Sequence, residues 1–292
     1  MIIGQLHPRF GAEVSDIDLR HGTSDEDVAA IRAAIDRYGV LVFRGQHFAD
    51  DEQLAFAQRF GPVATATSGR RKRLKTAGLA DLSNLNEDDE VMARGDARHL
   101  FSLANQLWHA DLSFVPQVGC YSLLSCREAA ATGGETEYTD LRVAYEALPE
   151  ALKAEAEGAV TEHSFMHSRR ILGFTASVPE IEALPPMLRP LVYVHPESGR
   201  KSLYLASHAS HIVGRPVPEG RLFLFGLMEF ATQREFVYRH QWTNGDFIIW
   251  DNRCTMHRGL PYDSRQRRDI RRVTTRYTGT ALDVPERTAT AS

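Results

Sequence analysis

The chain has 292 residues, with 34 Lys and Arg against 38 Asp and Glu, for a formal net charge of −4. That balance argues against nucleic-acid binding, and 43% hydrophobic residues argue against wholesale disorder. No apolar run approaches the roughly 18 residues of a membrane span. The opening MIIGQLHPRF lacks the look of a signal peptide. The three cysteines, Cys120, Cys126 and Cys254, form no CxxC pair, so a reducing cytoplasm is the expected setting.

In chain order, Ser24 with Asp27 three positions on predicts a capped helix start. Val28, Ile31 and Ile35 then recur at helical spacing, and Gly39 is the stop. Val40 to Phe43 reads as a short strand, and Asp51 to Phe60 as a second helix. Residues 62–104 lack periodicity. They hold the basic run Arg70, Arg71, Lys72, Arg73 and Lys75 and the acidic run Glu87, Asp88, Asp89 and Glu90. A solvated loop or a lid over a site fits such a segment.

From residue 105 onward short β-runs dominate: Gln106 to Phe114, Cys120 to Cys126, Gly134 to Tyr138, Pro190 to His195, Ser202 to Ala206, Val237 to Trp242, Asp246 to Trp250 and Arg272 to Thr278. Helices interrupt at Leu141 to Gly158, broken near Pro149, and at Glu219 to Glu235. Thr243-Asn244-Gly245 reads as a hairpin turn. The expectation is a mainly β chain with flanking helices (α+β) around a sandwich or jelly roll. One domain spans residues 1–283, and 284–292 form a tail.

His109-Ala110-Asp111 is the only H-x-D in the chain. In a strand, residues i and i+2 share a face, so both side chains could reach one ion. His257, placed at or just past the end of the Phe247 to Trp250 run, is the candidate third ligand. Two imidazoles and a carboxylate on one side of an ion leave about three of six positions open, which suits non-haem Fe(II). With 12 histidines, one H-x-D is close to chance, and His195-Pro196-Glu197 is a turn-like rival. Arginines cluster after His257: Arg258, Arg265, Arg267, Arg268, Arg271, Arg272 and Arg276. Their planar forks match carboxylates, although a solvated basic strand face is an equally simple reading. Thr136, after Gly133-Gly134, could offer a hydroxyl to an anion.

Taken together, these residues resemble the taurine dioxygenase-like Fe(II)/2-oxoglutarate-dependent oxygenases. The resemblance rests on the order and spacing of His109-x-Asp111, Thr136, Trp250-Asp251-Asn252-Arg253-x-x-x-His257, Arg268 and Arg272. It extends to Asn105-Gln106-Leu107-Trp108-His109, Tyr145-Glu146-Ala147-Leu148-Pro149 and His208-Ala209-Ser210-His211, segments similar to the branch that attacks aryloxyacetates. It covers about residues 5–280 and is poorest over 62–100, where the family's substrate lid lies. The resemblance implies a double-stranded β-helix (jelly-roll) core. It implies Fe(II) on His109, Asp111 and His257, and 2-oxoglutarate held through its distal carboxylate by Arg268 and Thr136, with O₂ as the other co-substrate. Arg272 is the implied partner of the substrate carboxylate, with Asn105, His208 and Lys75 as further contacts. The implied partner is a small anionic aromatic such as 2,4-dichlorophenoxyacetate, cleaved to a phenol and glyoxylate with succinate and CO₂. A homo-oligomer is also implied. The alternatives are the same catalyst on a sulfonate, alkyl sulfate or aryloxypropionate, a zinc hydrolase, and a metal-binding jelly roll without catalysis.

Overall fold

The structure is a computed structural model, and it describes residues 1–21, 23–65, 73–175 and 177–284. The run Arg70, Arg71 and Lys72 and the tail from 285 onward lie outside the described residues. The strands are β1 (Ile2–Gln5), β2 (Ala12–Ser15), β3 (Val40–Phe43), β4 (Leu79–Asp81), β5 (Gly119–Glu128), β6 (Thr136–Asp140), β7 (Val160–His163), β8 (Met187–Pro190), β9 (Val192–Val194), β10 (Lys201–Leu203), β11 (Ala209–Ile212), β12 (Val237–His240), β13 (Phe247–Asp251), β14 (Thr255–Gly259) and β15 (Asp269–Arg276). The helices are α1 (Asp25–Tyr38), α2 (Asp50–Gln58), α3 (Ala97–Ser102), α4 (Leu141–Ala147), α5 (Glu150–Ala156), α6 (Phe165–Ile171), α7 (Val178–Ala183) and α8 (Val217–Ala231).

A seven-stranded sheet, ordered β1-β2-β3-β13-β5-β15-β4, faces a three-stranded sheet, β12-β6-β14. This is the double-stranded β-helix, with its helices on the flanks. Strands β3 and β13 are buried along their whole length because both faces of the large sheet are covered. On the outer face Leu41, Phe43, Phe247 and Ile249 pack with Val28, Ile31 and Ile35 of α1 and Phe56 of α2. On the inner face Val42, Ile248 and Trp250 pack with Tyr138 and Trp242. α1 starts as expected: the Ser24 hydroxyl accepts from the Asp27 N–H while the Asp27 carboxylate accepts from the Ser24 N–H. A third cluster, from Leu141 and Ala144 of α4 to Leu224 and Leu227 of α8, closes the far end.

Three expectations are corrected. Gln106 to Phe114 is not a strand: residues Leu103–Gln106 form a 3-10 turn, His109 makes an isolated bridge to His257, and Asp111 enters a turn in which Leu112 has φ 59°. Thr243-Asn244-Gly245 is a turn but not a hairpin, since β12 pairs with β6 whereas β13 pairs with β3 and β5. His257 lies mid-strand in β14, opposite Tyr138. Within the described part of 62–104, read as a loop or lid, there are regular elements: β4 pairs with β15 and α3 follows.

Candidate active site

The bridge carries His109. Its N–H donates to the His257 carbonyl at 3.0 Å, and the His257 N–H returns a bond at 2.9 Å. The two rings therefore lie side by side, with centroids 4.2 Å apart. Asp111 reaches the same point from the turn. Its Oδ1 lies 3.9 Å from His109 Nε2, and its Oδ2 lies 3.9 Å from His257 Nε2. One ligand atom from each of the three residues falls within 4.8 Å of the others, and all three residues are buried. The neighbours came from the bridge and the turn, not from the face-sharing of a strand.

The donor set fits a divalent ion that prefers nitrogen and oxygen. His109 Nδ1 lies 2.7 Å from the Leu107 carbonyl, an acceptor only, so the proton sits on Nδ1 and Nε2 keeps its lone pair for a metal. Burial lowers the pKa of both imidazoles, His257 most strongly, and keeps them neutral. Burial alone would raise the pKa of Asp111. Arg272 above all, with the Ser122 hydroxyl, holds it down at about 2. The Arg272 Nη1 donates to Asp111 Oδ1 at 2.5 Å.

Arg268 immediately precedes β15, and a bulge at Asp269/Ile270 separates it from Arg272 within the strand. Both nevertheless approach the interior. Arg268 Nη2 donates to the Gly134 carbonyl at 3.3 Å, and its guanidinium lies 5.3 Å from the Tyr262 ring centroid. Among the described residues no carboxylate forms an ion pair with Arg268, and burial pulls its pKa down. A desolvated cation of this kind is complementary to an incoming anion. Thr136 is buried at the start of β6, two residues past Gly134, and its Oγ1 accepts from Trp242 Nε1 at 2.9 Å.

His208 is buried, its ring 6.3 Å from that of His109 and 4.7 Å from that of Phe114. Phe114 and Phe165 are 4.9 Å apart, Phe165 and Phe101 5.9 Å, and Phe101 and Phe174 5.7 Å. This run of rings leads from His109 toward the segment expected to form a lid. Asn105 is half-buried in the 3-10 turn, and Lys75 is exposed ahead of β4. The rival His195 belongs elsewhere. Its Nε2 bonds Asp251 Oδ2 at 3.0 Å and its Nδ1 bonds Ser198 at 2.9 Å, while Arg253 already pairs with Asp251. Ser122 and Asn252, both fully buried beside Asp111, were not singled out from the sequence as site residues; only the Trp250-Asp251-Asn252-Arg253 run hinted at the second.

The taurine catabolism dioxygenase TauD, TfdA family matches residues 3–274. The chain belongs to this family. It is 48% identical over 280 residues to the alpha-ketoglutarate-dependent 2,4-dichlorophenoxyacetate dioxygenase of Cupriavidus pinatubonensis, covering 94% of this chain and 97% of that protein. It is 34% identical over 275 residues to the (S)-phenoxypropionate/alpha-ketoglutarate-dioxygenase of Sphingobium herbicidovorans, covering 91% of each. Its fold matches the crystal structure of AAD-2 in complex with Mn(II) and N-oxalylglycine with a TM-score of 0.91 at 46% identity, over 97% of this chain and 100% of that one. In this dioxygenase, His109, Asp111 and His257 together offer two imidazole nitrogens and one carboxylate oxygen that could hold a metal ion. Among the described residues no helix is long and apolar enough to cross a membrane.

Proposed function

We propose that this enzyme hydroxylates the carbon beside the ether oxygen of an aryloxyacetate such as 2,4-dichlorophenoxyacetate, with His109, Asp111 and His257 as its Fe(II) ligands. The catalytic class, a 2-oxoglutarate-dependent dioxygenase using Fe(II) and O₂, follows from the family. The bound metal with its co-substrates supplies the oxidation, giving succinate and CO₂. The hydroxylated product is a hemiacetal, which collapses to a phenol and glyoxylate.

The protein's own work is orientation and charge placement. Arg268 and Thr136 would hold the distal carboxylate of 2-oxoglutarate, since Arg268 is a half-buried cation beside Gly134 without an acidic partner among the described residues. Arg272 would face the substrate carboxylate. Its Nη1 is committed to Asp111, but its buried Nε has no hydrogen-bond partner among the described residues. One observation carries the aryl assignment: the rings of His208, Phe114, Phe165, Phe101 and Phe174 run outward from His109. Such a wall suits an aromatic tail and would shed water from it. His208 is part of this wall, burial keeping it neutral. Asn105 and Lys75 would contact substrate only from the 3-10 turn and the 62–104 segment, which we propose as the lid. The enzyme is also proposed to be a cytoplasmic homo-oligomer.

The test is a panel of phenoxyacetates, aryloxypropionates, alkyl sulfates and sulfonates offered to the Fe(II)-loaded enzyme, following phenol and succinate. Phenol formed one-to-one with succinate from phenoxyacetates is the expected result. Succinate formed only with a sulfonate or sulfate ester would refute the aryloxyacetate reading and leave the catalyst standing.

A further inference from the structure

Asp111 sits in a turn with no regular backbone ladder to hold it, yet each oxygen of its carboxylate accepts a hydrogen bond, Oδ1 from Arg272 and Oδ2 from Ser122, and its backbone is anchored too. Its N–H donates to Asn252 Oδ1 at 2.9 Å. The same Oδ1 accepts from Trp250 Nε1 at 2.9 Å. Asn252 Nδ2 donates to Ser122 Oγ at 2.9 Å and to the Cys120 carbonyl at 3.3 Å. Ser122 Oγ in turn lies 2.7 Å from Asp111 Oδ2 and 3.0 Å from Thr274 Oγ1. Asn252 and Ser122 are fully buried.

The direction of each proton in this circuit can be deduced. A backbone N–H and an indole N–H can only donate, so the Asn252 atom facing both must be its oxygen. Its nitrogen then faces Cys120, whose carbonyl can only accept. All four hydrogen-bonding positions of the Asn252 amide are filled, as burial demands. Ser122 accepts from that amide and has a single proton to give. The carboxylate of Asp111 is an acceptor only, so the proton goes there, and Thr274 must donate to Ser122 rather than receive.

We infer that Asn252 is the positioning residue that aims the carboxylate of Asp111: directly through the backbone of Asp111, and through Ser122 for its side chain. Asn252 touches neither the expected metal nor substrate. It couples the end of β13 to the turn after His109, so the motif containing Asn252 and the H-x-D motif form one unit. An aspartate in its place would have the same shape but the wrong polarity. An acceptor would face the Cys120 carbonyl, and Ser122 would turn its proton away from Asp111. Thr274 is a lesser member, since Ser122 keeps its Asn252 donor without it.

This inference rests on the proposed metal site, and the test separates the two. Mn(II) affinity is measured by EPR titration for the wild type and for Asp111→Ala, Ser122→Ala, Asn252→Asp and Thr274→Val. The metal-free melting temperature is recorded for each, together with the 2-oxoglutarate consumed per substrate hydroxylated. Ser122→Ala removes one buried hydroxyl and tests the circuit even where Asn252→Asp fails to fold. Loss of such supporting partners typically weakens metal binding by about 10- to 100-fold. That loss is expected for Ser122→Ala and Asn252→Asp, with excess 2-oxoglutarate consumption. Thr274→Val should stay within about threefold of wild type, below that 10- to 100-fold range. Wild-type Mn(II) affinity and coupling in folded Ser122→Ala, with binding lost in Asp111→Ala, would overturn the positioning role alone. Mn(II) binding retained in Asp111→Ala would overturn the metal-site reading itself.

Discussion

Individual side chains at this site are set by what each can give or accept. Arg268 and Arg272 are both guanidinium groups of the proposed site, but their surroundings differ. Arg272 already donates to Asp111, whereas Arg268 meets only carbonyls and the Tyr262 ring among the described residues. Arg268→Gln should therefore act on 2-oxoglutarate, weakening its apparent affinity by about 2–5 kcal/mol as a buried charge-assisted pair is lost. A titration of succinate formation against 2-oxoglutarate checks this; wild-type affinity would move the clamp to another residue. Arg272→Ala should raise the KM for phenoxyacetates far more than for 2-oxoglutarate, and should harm use of the neutral ether amide much less. Residue types alone left H-x-D close to chance and the arginines open; the spacing shared with the family singled out His109, Asp111 and His257, and the structure brings these three together. The Asn252–Ser122 circuit was not legible. Its partners are far apart in the chain, and a buried Ser or Asn in a strand carries no local signal of what it bonds.

Local patterning read the regular elements well and the connecting ones poorly. The Ser24 cap, the break near Pro149 and the continuous apolar β3 all follow from short-range chemistry. The 243–245 turn shows the limit: its sequence specifies reversal of the chain, but whether the next strand returns to the same sheet depends on distant partners. β14 was hidden because Asp251-Asn252-Arg253 looks like a loop, although Thr255 to Gly259 is held by β6. Two predictions belong to this scale. A Cβ at Gly119, at the start of β5, would come 2.6 Å from the Asp111 carbonyl oxygen. Gly119→Ala should thus displace the metal-site turn, costing about 1–3 kcal/mol of stability in a urea melt and weakening Mn(II) binding. His163 in β7 is fully buried against Tyr204, and burial with help from Arg189 lowers its pKa from 6.5 to about 3. The unfolded chain takes up this proton near 6.5 and the folded chain does not, so its share of stability is lost as pH falls from 6.5 toward 3. Between pH 7 and pH 5 that share is on the order of 2 kcal/mol, each pH unit below the unfolded pKa being worth about 1.4. His163→Gln should flatten the fall in stability over that window, and an unchanged slope would show that His163 does not titrate this way.

The molecule as a whole places the proposed reactive centre between two sheets. The large sheet supplies Ser122, Asn252 and Arg272 from β5, the end of β13 and β15, and the small sheet supplies Thr136 and His257 from β6 and β14. The bridge between His109 and His257 and the turn bearing Asp111 tie the two layers together at the mouth of the barrel. Helices α1 and α2 cover the outer face of the large sheet and take no part in the site. Composition and short β-runs were enough to suggest this architecture; which strands meet across it was not, because pairing over such sequence separations leaves no periodic trace. We propose that this junction holds Fe(II) for 2-oxoglutarate-dependent oxidation. This is tested most directly by O₂-dependent succinate formation from 2-oxoglutarate and a phenoxyacetate, with purified Fe(II)-loaded wild type beside Asp111→Ala. Succinate and phenol are expected from the wild type, with loss of nearly all turnover in the variant. Equal Fe(II)-dependent turnover by both proteins would contradict it.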